Sequence, residues 1–172
     1  MKRLWILRHA KSSWDHAGLA DYARPLAPRG RKAAKRIARW ADANGVRPEL
    51  VLCSTAVRAQ STLDLVRPGL GGPEERVEQG LYHASTDDIL ELVATTDDTV
   101  TEVLLIGHNE GIGELAESLA GSGRAADLAA LHAKYPTGTL ATLRAPAGRW
   151  SGLAPRSAEL LSFVRPRDLL PE

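Results

Sequence analysis

The chain has 172 residues, 44% of them hydrophobic and 25% charged, which suits one compact domain with an apolar core and shows no linker that asks for a second. Its formal net charge is +1, and 17 of its 22 basic residues are arginine, so the balance excludes a nucleic-acid coat and an arginine informs only through its position. One cysteine, Cys53, excludes a disulfide framework and a multi-cysteine metal site, and no apolar stretch has the length of a membrane span or of a secretory leader, so a cytoplasmic, unanchored protein is expected.

Residues 4–7 are a short branched apolar run that stops at Arg8 and His9, as a buried strand does. Residues 31–43 carry Ala33, Ala34, Ile37, Trp40 and Ala41 at helical spacing, and the Gly45 to Pro48 stretch ends that helix. A second strand is predicted over 50–53, a helix over 58–66 and a loop over 70–75 (LGGPEE). Thr86, ahead of Asp87 and Asp88, reads as the N-cap of a helix running to Ala94. A third strand follows over 103–106 and a helix over 112–119, while the Ala-rich stretch 121–136 has no clear pattern. Residues 139–144 and 149–153 flank a turn over 146–148 and predict an antiparallel edge hairpin. Alternation of strand and helix predicts an α/β three-layer sandwich: a mainly parallel central sheet with helices on both faces, in a single domain over 1–172.

In open parallel sheets the reactive groups collect beyond the carboxyl ends of the strands. After LWIL comes Arg8-His9, after LVLCS comes a loop leading to Arg58, and after VLLIG comes His108-Asn109. Two guanidiniums match the oxygens of a phosphoryl group and keep their charge. An imidazole can be neutral and nucleophilic near pH 7, and a second, if protonated, can stabilise charge on the transferred group. The set reads as covalent phosphoryl transfer without a metal or other cofactor.

LRHAKSSW resembles the RHG signature of the histidine phosphatase superfamily, and LIGHNEG resembles its second-histidine motif. The length, the RPL triplet at 24–26 and CSTAVRAQST are similar to the small SixA-type phosphohistidine phosphatases. The resemblance implies a phosphoglycerate-mutase-like fold, His9 as phosphoacceptor, His108 as transition-state partner, and Arg8 and Arg58 as a phosphate clamp. It further implies Arg24, Ser12 and Asn109 as substrate contacts. Ala10 replaces the signature's glycine, which should tighten the turn after the nucleophile. Asp15 stands where mutases carry an asparagine, adding negative charge beside an anionic ligand. Where the family's acidic proton donor falls, the sequence has Glu78-Gln79 and then LYHAS, making Glu78 the candidate. The lack of a clear acid there favours a phosphohistidine substrate, because a ring nitrogen leaves with less help than an alkoxide.

The expected partner is therefore a phosphorylated protein bearing phosphohistidine, or a small phosphomonoester, with no nucleic acid and no membrane. A module that binds a phosphorylated partner with little turnover is the alternative from another class, and a mutase ranks third. A cysteine nucleophile at Cys53 is a rival, but only four residues separate it from Arg58 and no glycine-rich cradle follows. His16, His83 and His132 have no ligand spacing and read as surface or core residues, and the four tryptophans as packing. The basic run from Arg29 to Arg39 reads as the solvated face of a helix, with a possible use in docking an acidic protein.

Overall fold

The computed structural model describes residues 1–169. Its strands are β1 (Lys2–Arg8), β2 (Leu50–Ser54), β3 (Glu74–Glu78), β4 (Glu102–Gly107), β5 (Ala120–Gly123), β6 (Leu140–Ala145) and β7 (Ala158–Val164). Its helices are α1 (Pro28–Ala43), α2 (Val57–Val66), α3 (Thr86–Ala94), α4 (Gly111–Leu119) and α5 (Ala125–Ala133). The strands form one sheet in the order β3-β2-β4-β1-β6-β7-β5. β3, β2, β4 and β1 run parallel, β6 lies antiparallel to both β1 and β7, and β5 pairs parallel with β7. The α/β three-layer architecture with a mainly parallel sheet is thus the one observed.

The side-chain alternation of a strand divides the core into two layers. Leu4 and Ile6 of β1, with Leu52 and Leu105, join the cluster under α3, α4 and α5. Trp5 and Leu7, with Val51, Leu104 and Ile106, join the opposite cluster, into which α1 inserts Ala34, Ile37, Ala38 and Ala41. Both faces of β1, β2 and β4 are therefore covered, which is why these strands read as unbroken apolar runs.

Several local expectations are corrected. α1 begins at Pro28 rather than residue 31, since proline at the first helical position loses no hydrogen bond there. The cap of α3 is Ser85, not Thr86: its hydroxyl accepts from Asp88 N–H at 3.1 Å and the Asp88 carboxylate accepts from Ser85 N–H at 3.1 Å, a reciprocal capping box. The predicted loop over 70–75 runs into β3, after Gly71 and Gly72 turn the chain at φ of 81° and 83°. Residues 149–153 are not the second arm of a hairpin. A short 3-10 turn at Trp150–Gly152 buries the indole, whose Nε1–H donates to the Val100 carbonyl at 2.8 Å, and the antiparallel partner of β6 is β7. The unassigned stretch holds β5 and α5.

Candidate active site

β1 and β2 both pair with β4, so the carboxyl ends of three neighbouring strands open on one crevice. His9 N–H donates to the Gly107 carbonyl at the end of β4 at 3.1 Å, and Gly138 N–H reaches the carbonyls of Arg8 and His9, each at 3.0 Å. Ala10 N–H donates to Thr62 Oγ1 at 2.9 Å, and the Thr62 hydroxyl donates to the Arg58 carbonyl at 2.7 Å. The turn after β1 is thereby tied to α2, the helix that carries Arg58. Ala10 is fully buried and does not have a left-handed φ, so alanine in place of the signature's glycine introduces no backbone strain.

His9 Nδ1 lies 2.7 Å from the Ala10 carbonyl oxygen. A carbonyl only accepts, so Nδ1 carries the ring proton and the lone pair is left on Nε2. Burial is the main influence on the ring's pKa, and with the charges of His108, Arg58 and Arg8 it outweighs the Ala10 hydrogen bond and brings the value down to about 3. His108 stands with its ring centroid 5.1 Å from that of His9. Its Nε2 is 2.8 Å from Ser54 Oγ, and that oxygen already accepts from Ala56 N–H at 3.2 Å. Ser54 can donate its hydroxyl proton to His108 Nε2, an arrangement that places the ring proton on Nδ1, a buried atom with no partner among the described residues. Burial first, then Arg58 and His83, push His108 down to about 4. On the protein's own charges it is neutral at pH 7, so the protonated partner expected from the sequence needs an anion beside it.

The structure brings Arg8, His9, Ser12, Arg24, Arg58, His108 and Asn109 to one pocket of about 350 Å³. Arg8 Nη1–H donates to the Tyr135 carbonyl at 2.9 Å, and Arg24 Nη1–H donates to Ser12 Oγ at 2.9 Å. Asn109 is held by the scaffold, its Oδ1 accepting from Gly113 N–H at 3.2 Å. Among the described residues, Nε of Arg8 and Nε of Arg58 are buried without an acceptor and Nδ1 of His108 without a partner, and the oxygens of an anion are the partners that buried donors there lack.

Glu78 does not line this pocket. It ends the edge strand β3, in register with Ser54 of β2, and the chain returns to the crevice only at His83. Asp15 is exposed and also stands outside the lining. The carboxylate that does line it is Asp21, which sequence reasoning missed. Asp21 Oδ2 accepts from Tyr82 OH at 2.6 Å and from Arg58 Nη2–H at 3.0 Å, and Oδ1 accepts from Arg24 Nε–H at 3.1 Å. The Tyr82 hydrogen bond, then those of Arg58 and Arg24, hold the Asp21 carboxyl well below the usual carboxylate range. A short signal existed: Asp21 precedes Arg24 by three residues in DYARPL. His83, expected on the surface or in the core, lines the pocket beside Tyr82, their ring centroids 4.0 Å apart. Trp14, expected as packing, is exposed and lies over the Arg24 guanidinium at 3.5 Å. Cys53 is fully buried in β2 with its thiol pushed up to about 12, chiefly by burial, which removes it as a nucleophile. Among the described residues, no group of three or more His, Cys, Asp or Glu side chains is placed to hold a metal ion, and no helix is long and apolar enough to cross a membrane.

Two facing imidazoles and three guanidiniums at the end of a mainly parallel sheet are the kind of site that a histidine phosphatase presents. Residues 4–82 match the histidine phosphatase superfamily (branch 1). An uncharacterised protein of Mycobacterium leprae is 40% identical over 167 residues, covering 94% of this chain and 100% of that protein. The phosphohistidine phosphatase SixA of Escherichia coli is 31% identical over 120 residues, covering 68% of this chain and 73% of that protein. A candidate phosphohistidine phosphatase SixA from Agrobacterium tumefaciens superposes with a TM-score of 0.80 at 30% identity, covering 95% of this chain and 97% of that one. A structure of the protein histidine phosphatase SixA complexed with tungstate superposes with a TM-score of 0.74 at 25% identity, covering 96% and 98%. The chain belongs to the histidine phosphatase superfamily.

Proposed function

We propose that the protein removes the phosphoryl group from phosphohistidine on a partner protein, through a covalent intermediate on His9. The observation that carries this reading is the 2.7 Å contact between His9 Nδ1 and the Ala10 carbonyl, which leaves Nε2 unprotonated in a pocket walled by guanidiniums. Nε2 attacks phosphorus, and a phosphorus–nitrogen bond to His9 forms as the substrate's phosphorus–nitrogen bond breaks. The substrate's other ring nitrogen takes a proton from solvent before the bond breaks, so the electron pair leaves on the nitrogen that carried phosphorus and the imidazole departs neutral. Water then attacks phosphorus as the bond to His9 breaks. Nε2 recovers its lone pair, the water proton passes to solvent, and inorganic phosphate is released. Arg8, Arg58 and Arg24 balance the charge on the phosphoryl oxygens, and His108 donates through Nδ1.

Among the described residues Asp21 is the sole carboxylate in the lining, and its hydrogen bonds keep it ionised, so none of them offers a carboxylic acid to protonate an alkoxide. That supports a phosphorus–nitrogen over a phosphorus–oxygen bond as the one broken. The Escherichia coli relative is a phosphohistidine phosphatase, and the tungstate held by a structural relative is a tetrahedral oxyanion like phosphate. A small phosphomonoester is the competing substrate class, because about 350 Å³ is room enough for one. We take the compartment to be the cytoplasm, where a buried free thiol such as Cys53 stays reduced.

The test compares kcat/KM for a phosphohistidine-bearing domain with that for a panel of sugar and nucleotide phosphates, and seeks acid-labile radiolabelled phosphate on the quenched enzyme. Preference for the phosphoprotein and label that disappears in His9→Ala are expected. Preference for small esters would replace the substrate. Tight phosphate binding with no labelled intermediate would make the protein a binding module.

A further inference from the structure

A second groove, of about 400 Å³, shares Lys11 and Thr137 with the catalytic pocket. α1 contributes Arg29, Lys32 and Arg36 to it, the segment after α5 contributes Lys134, and the segment after β7 contributes Arg165 and Arg167. No carboxylate lines it among the described residues. Asp168, just outside the lining, pairs with Arg165 at 2.9 Å and leaves the other cations in excess. The remaining lining is small and mostly apolar, with Ala33, Ala130, Ala133, Pro136 and Pro166.

We infer that this groove docks an acidic amphipathic helix of a partner protein, alongside the site where that partner's phosphoryl group is removed. Small apolar residues let the apolar face of a helix come close, and the surrounding Lys and Arg side chains meet the acidic residues that flank such a face. The cations come from four segments and stand around alanine and proline, so the groove pairs positive charge with apolar surface, as an acidic amphipathic helix requires. The net charge of +1 gives no long-range attraction toward nucleic acid or an anionic membrane, so the local excess selects a ligand whose charge is also local. The inference adds a recognition surface to the proposed function and rests on it only for the purpose of docking. Binding itself requires no turnover.

The probe is a fluorescently labelled synthetic helix with glutamate on one face and leucine and alanine on the other, its anisotropy titrated with the full chain at low and high salt. Lys32→Glu with Arg36→Glu should weaken binding about tenfold, and salt should weaken wild-type binding. Arg29→Glu with Arg167→Glu, on other turns of the groove, should act in the same direction. In turnover, the ratio of kcat/KM for a phosphohistidine-bearing domain to that for an aryl phosphate should fall with the peptide affinity. Peptide affinity unchanged in both double variants overturns the inference. So does tighter binding of duplex DNA or phosphatidylserine vesicles with the same sensitivity to charge reversal. A wild type inactive on phosphohistidine would count against the proposed function and leave the anisotropy result standing.

Discussion

Asp21 and Arg58 hold each other by two contacts, the Arg58 Nη2–H donating to Asp21 Oδ2 at 3.0 Å and the Nη1–H to the Asp21 carbonyl at 2.7 Å. The same carboxylate receives Arg24 and Tyr82, so one side chain on a short loop sets the direction of two of the pocket's three guanidiniums. Asp21 is partly exposed and the pairs add little to global stability. Their effect is on geometry.

Asp21→Asn keeps the shape and removes the charge that aligns Arg24 and Arg58. It should lower kcat/KM on an aryl phosphate about tenfold with little change in Tm. The carboxyl's folded-state pKa is depressed, so the alignment should persist as pH falls through about pH 4, where an ordinary carboxylate protonates. A kcat/KM equal to wild type would show that the two arginines need no such partner.

The two facing imidazoles make a pH prediction. His9 is pushed down to about 3 and His108 to about 4, so neither should titrate between pH 5 and 8 when followed by NMR. The folded state binds fewer protons than the unfolded one below about pH 6.5, and stability should therefore fall with pH from there, by about 1.4 kcal/mol per pH unit for each ring. His9→Ala should abolish turnover and also flatten this acid dependence in denaturant titrations. A wild-type midpoint near pH 6.5 for either ring would contradict the burial.

Cys53 is shut inside the sheet, its thiol pushed up to about 12. Iodoacetamide should leave the native protein unmodified and active. Cys53→Ala should keep kcat within about twofold and reduce stability by about 1 kcal/mol, read as a lower denaturant midpoint.

Gly30, in the first turn of α1, packs on the backbone two residues beyond His9. A Cβ at this position would lie 2.1 Å from the Lys11 carbonyl oxygen, and backbone cannot swing aside as a side chain does. Gly30→Ala should lower Tm by about 5–10 °C and reduce kcat/KM as the turn carrying His9 shifts. An unchanged melting curve would mean that α1 can slide away from Lys11.

Legibility followed burial. β1, β2 and β4 are plain in the sequence because both their faces are covered and each carries an unbroken apolar run of four residues, 4–7, 50–53 and 103–106. β3 (EERVE) and β5 (AGSG) lie at the sheet edges, mostly exposed, and carry no apolar pattern to read. α5 buries only Asp127 and Leu131, so its periodicity is faint. Trp150 misled in a different way. It looked like part of a strand but plugs the core from a 3-10 turn, because its indole N–H finds the Val100 carbonyl, 50 residues away.

The sequence by itself determined strands β1, β2 and β4, helices α1 to α4, and the residues at three strand ends: Arg8 with His9, Arg58, and His108 with Asn109. Those follow from local rules, a buried strand stopping where the chain turns polar and a parallel sheet gathering its ends on one edge. The tertiary structure alone decided what surrounds them. Ser54 behind His108, the Ala10 carbonyl against His9 and Asp21 among Arg24, Arg58 and Tyr82 are contacts made by folded geometry, three of them spanning 37 to 61 residues of chain. Hydrogen bonds of that range leave no period in a sequence, because each depends on where two distant backbones cross.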